Sequence, residues 1–298
     1  MPGRVGVVAV LVAVLCACGA GSGHTSGDRD LSAYSALGTW VDLYDPHVLA
    51  HPESSVAAMA NHGVSTLYLQ TSNYQMRSDI VRPDRISRFI EAAHANGMQV
   101  VAWYLPSFVN LARDQRRALA ALRFKTPDGE RFDSFALDIE SSIVKPASKR
   151  SARLVMLAQR LRAAAPNIAL GAIVPAPVGM QRLPWYWPTF PFAELARDFD
   201  VFLPMGYFTY RSHLASFSGA YTQKNIALLR TETGDPALAV HPIGGIAGNA
   251  SSAQVRTFER AAQSGKAIGA SLYDFSGTTP AQWRALQPAQ NLPATATG

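Results

Sequence analysis

Two cysteines are all this chain has, Cys16 and Cys18, and both lie near its N-terminus. The remainder therefore holds no thiol for a disulfide, a cysteine–zinc site or a cysteine nucleophile. No glycine-rich phosphate turn follows the first apolar segment, which reads Trp40-Val41-Asp42-Leu43-Tyr44-Asp45-Pro46-His47, so the fingerprint of a dinucleotide-binding sheet is missing. No serine stands in a Gly-x-Ser-x-Gly elbow. Seven histidines are present, but only His47 and His51 have helical ligand spacing, and no third ligand with a motif accompanies them. The net charge of +6 comes from 27 basic and 21 acidic residues, spread out without a basic tract or a nucleic-acid motif. Thiol, zinc, nucleotide, serine-elbow and nucleic-acid chemistry are set aside together, and no cofactor or metal is expected.

Residues 1–23 read as a targeting segment. Arg4 gives a minimal positive start, and Val5 to Leu15 form an apolar run of 11 residues. A bilayer-spanning helix needs about 20, so the run fits a signal-peptide core instead. It ends in Leu15-Cys16-Ala17-Cys18-Gly19, which resembles the bacterial lipobox and implies a lipid on Cys18. An ordinary cleaved secretory signal is the alternative. Residues 24–35 are expected to be a flexible tether. The expected location is the cell envelope, with the chain held on the outer side of the cytoplasmic membrane by its N-terminal lipid, or else secreted.

Over residues 36–286, strand-like apolar runs alternate with amphipathic helical stretches, and a loose tail is expected over 287–298. Eight strands are predicted, at 38–44, 65–71, 99–105, 134–140, 169–174, 201–207, 237–243 and 270–275. Parallel neighbours need crossover helices, so the alternation predicts a single α/β domain, a (β/α)8 barrel. The size agrees: 298 residues, 48% of them hydrophobic, accommodate one barrel of about 250. A monomer is expected.

The predicted strand 134–140 carries the sharpest signal. Phe135, Leu137 and Ile139 alternate with Ser134, Ala136, Asp138 and Glu140, and side chains in a strand repeat every two residues. The apolar set should meet the helices, the small residues should fill the lumen, and the two acids should reach the mouth together. Two such carboxylates interact, which raises one pKa; Glu140 is expected to hold the proton and Asp138 the charge. Barrel chemistry sits at the C-terminal ends of the strands. The candidates there are Asp42 on the first strand, Tyr68 and Gln70 on the second, and Trp103 and Tyr104 on the third. Met205 and Tyr207 end the sixth, His241 the seventh, Tyr273 and Asp274 the eighth. The loop after the fifth strand adds Trp185 and Trp187, which read as a stacking wall. Carboxylates mixed with aromatic rings suit a sugar, whose hydroxyls and apolar faces they match.

Asp133-Ser134-Phe135-Ala136-Leu137-Asp138-Ile139-Glu140 resembles the strand-four signature of the family-18, chitinase-like glycoside hydrolases, D-x-x-D-x-D-x-E. Asp133, Asp138 and Glu140 match; Ala136 stands where the second Asp would be. Pro204-Met205-Gly206-Tyr207-Phe208 resembles the family's Met-x-Tyr-Asp, with Phe208 in place of Asp. The family's strand-three Ser-x-Gly-Gly is absent. The resemblance implies a glycosidase barrel with Glu140 as general acid, Asp138 orienting an N-acetyl group and Tyr207 bonding to it. Family-25 muramidases, acting on peptidoglycan, share an Asp-x-Glu on a mid-barrel strand with acids on the first and last strands, where Asp42 and Asp274 would stand. A third reading is a barrel that binds saccharide without cleaving it, favoured by Ala136 and Phe208.

Overall fold

The computed structural model describes residues 29–294, and its centre is a ring of parallel strands. They are β1 (Ala36–Val41), β2 (Thr66–Asn73), β3 (Gln99–Leu105), β4 (Ser134–Asp138), β5 (Leu170–Pro175), β6 (Val201–Met205), β7 (Ala239–Val240), β8 (Ile243–Ile246) and β9 (Gly269–Tyr273). Neighbours pair in sequence order, β5 pairs with β6, and β9 pairs with β1, which closes the barrel. β7 and β8 together form one stave. Pro242 divides them because it has no N–H to give to a ladder. The barrel thus has eight staves, as the alternation predicts.

Helices cover the outside, including Pro52–Asn61, Pro83–Ala95, Leu111–Leu122, Ala147–Ala164, Ala215–Thr233 and Ser252–Ser264. The helix Ser252–Ser264 starts from a reciprocal capping box between Ser251 and Gln254, which satisfies two otherwise orphaned donors. Phe135, Leu137 and Ile139 face outward and are fully buried with Leu154, Leu157 and Leu161 of Ala147–Ala164. Ala136 faces inward, among Trp40, Tyr68, Trp103 and Leu203. The strand therefore divides its residues as the alternation requires.

The lower lumen is plugged from below. Tyr34, in a 3-10 turn (Ser32–Tyr34), inserts its ring into the barrel, and its hydroxyl donates to the Phe135 carbonyl at 2.8 Å. Gly171 makes room for it: a Cβ there would lie 2.7 Å from Tyr34 Cε1. This corrects the tether expected over 24–35, which from residue 29 onward is docked. Arg29 bonds to the buried Asp200 at 2.8 Å, and Arg162 reaches the other oxygen of the same carboxylate. The tail is corrected likewise. Residues 287–291 form a 3-10 turn that buries Ala289, Leu292 is buried after it, and Gln290 donates to the His62 carbonyl at 3.0 Å. The targeting segment 1–23 with Cys18, residues 24–28 and residues 295–298 lie outside the described residues.

Candidate active site

Two adjoining cavities, each of about 250 Å³, open at the C-terminal ends of the strands. Glu140, Met205, Tyr207 and Tyr210 line both and form the partition between them. The first lobe lies over the barrel axis. Its walls include Trp40, Trp103 and Tyr273, with Gln70, Asn73 and Asp138 among the polar groups. Trp40 stacks on Tyr68 below it, with ring centroids 4.2 Å apart, and meets Trp103 edge-on at 5.9 Å, so the aromatic floor is packed from beneath. The second lobe lies beneath the loops after β5 and β6. It is lined by Met180, Leu183, Tyr186, Arg211 and Tyr221, among others.

Asp138 is the last residue of β4, paired in register with Ile173 of β5. It is 7% exposed, and its Oδ1 is buried with no hydrogen-bond partner among the described residues. A buried polar atom left unpaired is costly, so its persistence marks a group set aside for something other than folding. Burial, and then the neighbouring Glu140 charge, push the Asp138 carboxyl well above the ordinary carboxylate range. Glu140 stands two residues on, just beyond the strand end, where solvent reaches it. Its pKa is also raised, by burial within the mouth. Burial raises both carboxyls, so the two titrate as a pair that shares a proton. The Tyr186 hydroxyl donates to the Glu140 carbonyl at 2.7 Å and fixes the backbone carrying the acid.

Tyr207 holds a left-handed backbone conformation, φ 36°, unusual for a residue with a side chain. Burial, then the Asp138 and Glu140 charges, raise its pKa, so its hydroxyl stays a donor. In the floor, Trp103 offers a buried Nε1–H that also lacks a partner among the described residues. The first lobe therefore presents an unpaired acceptor, an unpaired indole donor and a protonated phenol around one space.

Several predicted site residues lie elsewhere. Tyr68 and His241 share the lumen face with the mouth but sit deeper, fully buried. His241 Nδ1 donates to the Tyr34 carbonyl at 2.8 Å, so Nε2 accepts from Ser271 at 3.0 Å, and Ser271 Oγ accepts from Trp40 Nε1 at 2.8 Å. Burial lowers the His241 pKa to about 4, keeping the ring neutral. Tyr104, adjacent to Trp103, necessarily points the other way; it is buried behind the barrel and donates to Asp114 at 2.7 Å. Trp187 is 2% exposed, bonds to Ser151 and lies under the Arg150 guanidinium at 3.8 Å, so it is core, whereas Trp185 is 75% exposed. Asp42 accepts from the Tyr273 hydroxyl and the Tyr44 amide, and so holds Tyr273 in the wall. Asp274 caps its own turn through Ser276 and Gly277. Gln70 lines the lobe while accepting from the Leu43 amide at 3.1 Å.

The motif positions separate as well. Asp133 sits at the opposite end of β4 and accepts from the Val100 amide at 2.7 Å and from His94 at 2.9 Å. Phe208 is buried outward against Phe258. Among the lobe residues that sequence reasoning passed over are Trp40, Arg211 and Tyr221. Trp40 could have been found, since it shares a strand face with Asp42; Arg211 comes from a loop and Tyr221 from an outer helix, and neither carries a signal that points to the mouth.

No family model matches this chain, and no characterised protein matches it in sequence. Its fold, however, is shared with solved structures. An endo-beta-1,4-mannanase from Thermotoga petrophila superposes with a TM-score of 0.67 at 10% identity, over 89% of this chain and 78% of the mannanase. A class V chitinase from Pseudomonas fluorescens gives 0.62 at 12% identity, over 86% and 99%. A family-18 N-acetylglucosaminidase from Paenibacillus barengoltzii gives 0.59 at 10%, over 86% and 99%. At such identities the likeness shows one thing, that this chain has the (β/α)8 barrel also seen in these glycoside hydrolases.

Proposed function

We propose that the protein hydrolyses a glycosidic bond in a polysaccharide or other glycan, with Glu140 as general acid and Asp138 as its partner carboxylate. The observation that carries the reading is the buried, unpartnered Asp138 carboxyl beside Glu140, over an aromatic floor at the barrel mouth. The glycosidase names of the structural neighbours support it. Glu140 lines both lobes, so a glycosidic oxygen bridging them lies within its reach, and that oxygen must be protonated as its bond breaks. A sugar covering the mouth removes water from Glu140, raising its pKa further. Asp138 can then hold charge against the positive centre developing on the sugar, or orient an N-acetyl group that attacks it. The Tyr207 hydroxyl serves either route as a donor.

With Ala136 beneath it and Phe208 turned into the core, Asp138 has no cation among the described residues lining its lobe, and the neighbouring Glu140 charge opposes its ionisation. This favours a second reading, a barrel that binds saccharide without turnover. The muramidase reading has less support, because Asp42 and Asp274 are engaged in their own turns. The test is hydrolysis of mannan, chitin and peptidoglycan fragments by wild type and Glu140→Gln. Turnover should fall by roughly 10² to 10⁴ while binding survives; equal activity overturns the assignment, and tight binding without cleavage by wild type establishes the binding protein.

The N-terminal apolar run and its Leu-Cys-Ala-Cys-Gly end support an envelope protein, anchored through lipid on Cys18. Wild type should partition into a detergent phase and Cys18→Ser should not; both forms in the aqueous phase remove the anchor.

A further inference from the structure

The second lobe holds two polar groups that protonation of a glycosidic oxygen does not use. Arg211, on the loop after β6, makes no ion pair or side-chain hydrogen bond among the described residues. Tyr221, on the helix Ala215–Thr233, is 4% exposed, and its hydroxyl is buried without a partner. The two converge on one point. A Cβ built on Gly179 would lie 3.4 Å from Arg211 Nη2 and 3.5 Å from Tyr221 Oη. Gly179 sits within the short helix Pro177–Arg182 and has no positive φ that calls for glycine. Its missing side chain leaves the space in front of the guanidinium and the hydroxyl free.

Arg211 and Glu140 are the only charged side chains lining this lobe among the described residues, and the rest of its wall is largely apolar. A guanidinium that forms no ion pair among the described residues, on the wall of a cavity of about 250 Å³, offers its parallel N–H pair to a planar, singly charged group. The Tyr221 hydroxyl can supply a further donor to the same group, and so gain the partner it lacks in the fold. The cavity has the scale of one sugar ring, and Met180 and Leu183 give that ring an apolar side.

We infer that the second lobe is a subsite for a carboxylate-bearing sugar residue, held by Arg211 and Tyr221 on the leaving-group side of Glu140. The assignment to the leaving-group side rests on the hydrolase reading, because Asp138, beside the reacting carbon in that reading, lines the first lobe alone. The carboxylate recognition does not rest on it. A neutral glycan leaves the guanidinium facing hydroxyls only, and forfeits a charge-assisted bond.

The experiment is calorimetric titration of the full chain with D-glucuronate against D-glucose, and N-acetylmuramate against N-acetylglucosamine. The two pairs distinguish a carboxylate on the sugar ring from one carried on an ether arm. Wild type should bind at least one acidic sugar roughly ten-fold tighter than its neutral counterpart, the weight of one charge-assisted hydrogen bond. The preference should weaken as salt is raised. Arg211→Gln should bring the pair to within about two-fold, and Arg211→Lys should restore part of the gap as a charge without the fork. Gly179→Ala places a methyl at ordinary contact distance in the same space and should weaken the acidic sugar without unfolding the chain. Equal binding of acidic and neutral sugars by wild type, no binding of any of the four, or a preference unchanged in Arg211→Gln overturns the subsite. Glu140→Gln separates the two readings, since it should cut turnover by that same roughly 10² to 10⁴ yet keep the acid preference. Cleavage of a glycan with no acid preference removes the subsite alone; acid preference with no cleavage of any glycan removes the hydrolase alone.

Discussion

The barrel holds two polar clusters on the same inward face, one above the other, and they differ in how fully they are paired. In the lower cluster, Tyr34, Ser134, His241, Ser271 and Trp40 pass hydrogen bonds from one to the next, and each ends on a backbone carbonyl or a neighbour. In the upper cluster, Asp138 Oδ1 and Trp103 Nε1 are buried and unpaired among the described residues. Both clusters are desolvated, so burial does not tell them apart. Completion does: a closed network rigidifies a fold, while open valences await a ligand. Substitutions below should therefore register in stability and substitutions above in chemistry.

The largest stability effect should come from Tyr34→Ala. Removing a fully buried ring from the lumen leaves a cavity and takes the Tyr34 hydroxyl away from Ser134 and the Phe135 carbonyl, at a cost of about 3–5 kcal/mol. Glu140→Gln, on an exposed side chain, should leave the melting temperature within a degree or two of wild type. Thermal unfolding of both variants checks the contrast. A Glu140→Gln loss as large as that of Tyr34→Ala would merge the two clusters into one structural unit.

Much of this division was legible from spacing. The alternation along residues 134–140 assigned Phe135, Leu137 and Ile139 to the helices and Asp138 to the lumen, because pleat geometry allows no other arrangement. What alternation does not carry is depth. Tyr68 and Gln70 share a face one layer apart, and only the upper one meets the cavity. His241 sits at the break made by Pro242, and its ring drops to Tyr34, a residue far upstream. Tyr104 was misassigned although its parity with Trp103 excluded it. Trp185 and Trp187 have equal parity in a loop, where period-two reasoning has no force; Ser151 and Arg150 on a helix decide which one is buried. Arg211, Tyr221 and Gly179 come from three separate elements and meet only in the folded chain.

A smaller effect of opposite sign should follow from Asp138→Asn. Its carboxyl has a raised pKa in the folded state, so the folded chain binds more protons than the unfolded one and loses stability as pH climbs above the ordinary carboxylate value. A neutral amide removes that loss. The variant should be more stable than wild type at pH 7 by about 1–3 kcal/mol, the range for an unsatisfied buried group, and equal to it near pH 4. Activity should fall with it. A variant less stable than wild type at neutral pH would show that Asp138 is a structural carboxylate with a partner the fold supplies.

The smallest effect tests the comparison from outside the barrel mouth. Asp133 opens the same strand that Asp138 ends, yet it belongs to a closed cluster: His94 bonds to Asp133 at 2.9 Å and to Glu130 through its other nitrogen. The Asp133 hydrogen bond first, and then Glu130, raise the His94 pKa to about 9 against the partial opposition of burial. A histidine raised in the folded state stabilises fully below its unfolded value of 6.5 and loses that contribution as pH rises toward 9. His94→Gln should thus cost about 1 kcal/mol at pH 6, a figure reduced by the partial exposure of all three groups, and nothing above pH 9. Its pH–rate profile should match wild type throughout, because the pair proposed to titrate during turnover lies at the other end of the strand. Melting curves at several pH values check the first statement and initial rates the second. A gap that does not close with pH would mean His94 acts by packing, and a shifted rate profile would mean the two ends of β4 titrate as one system.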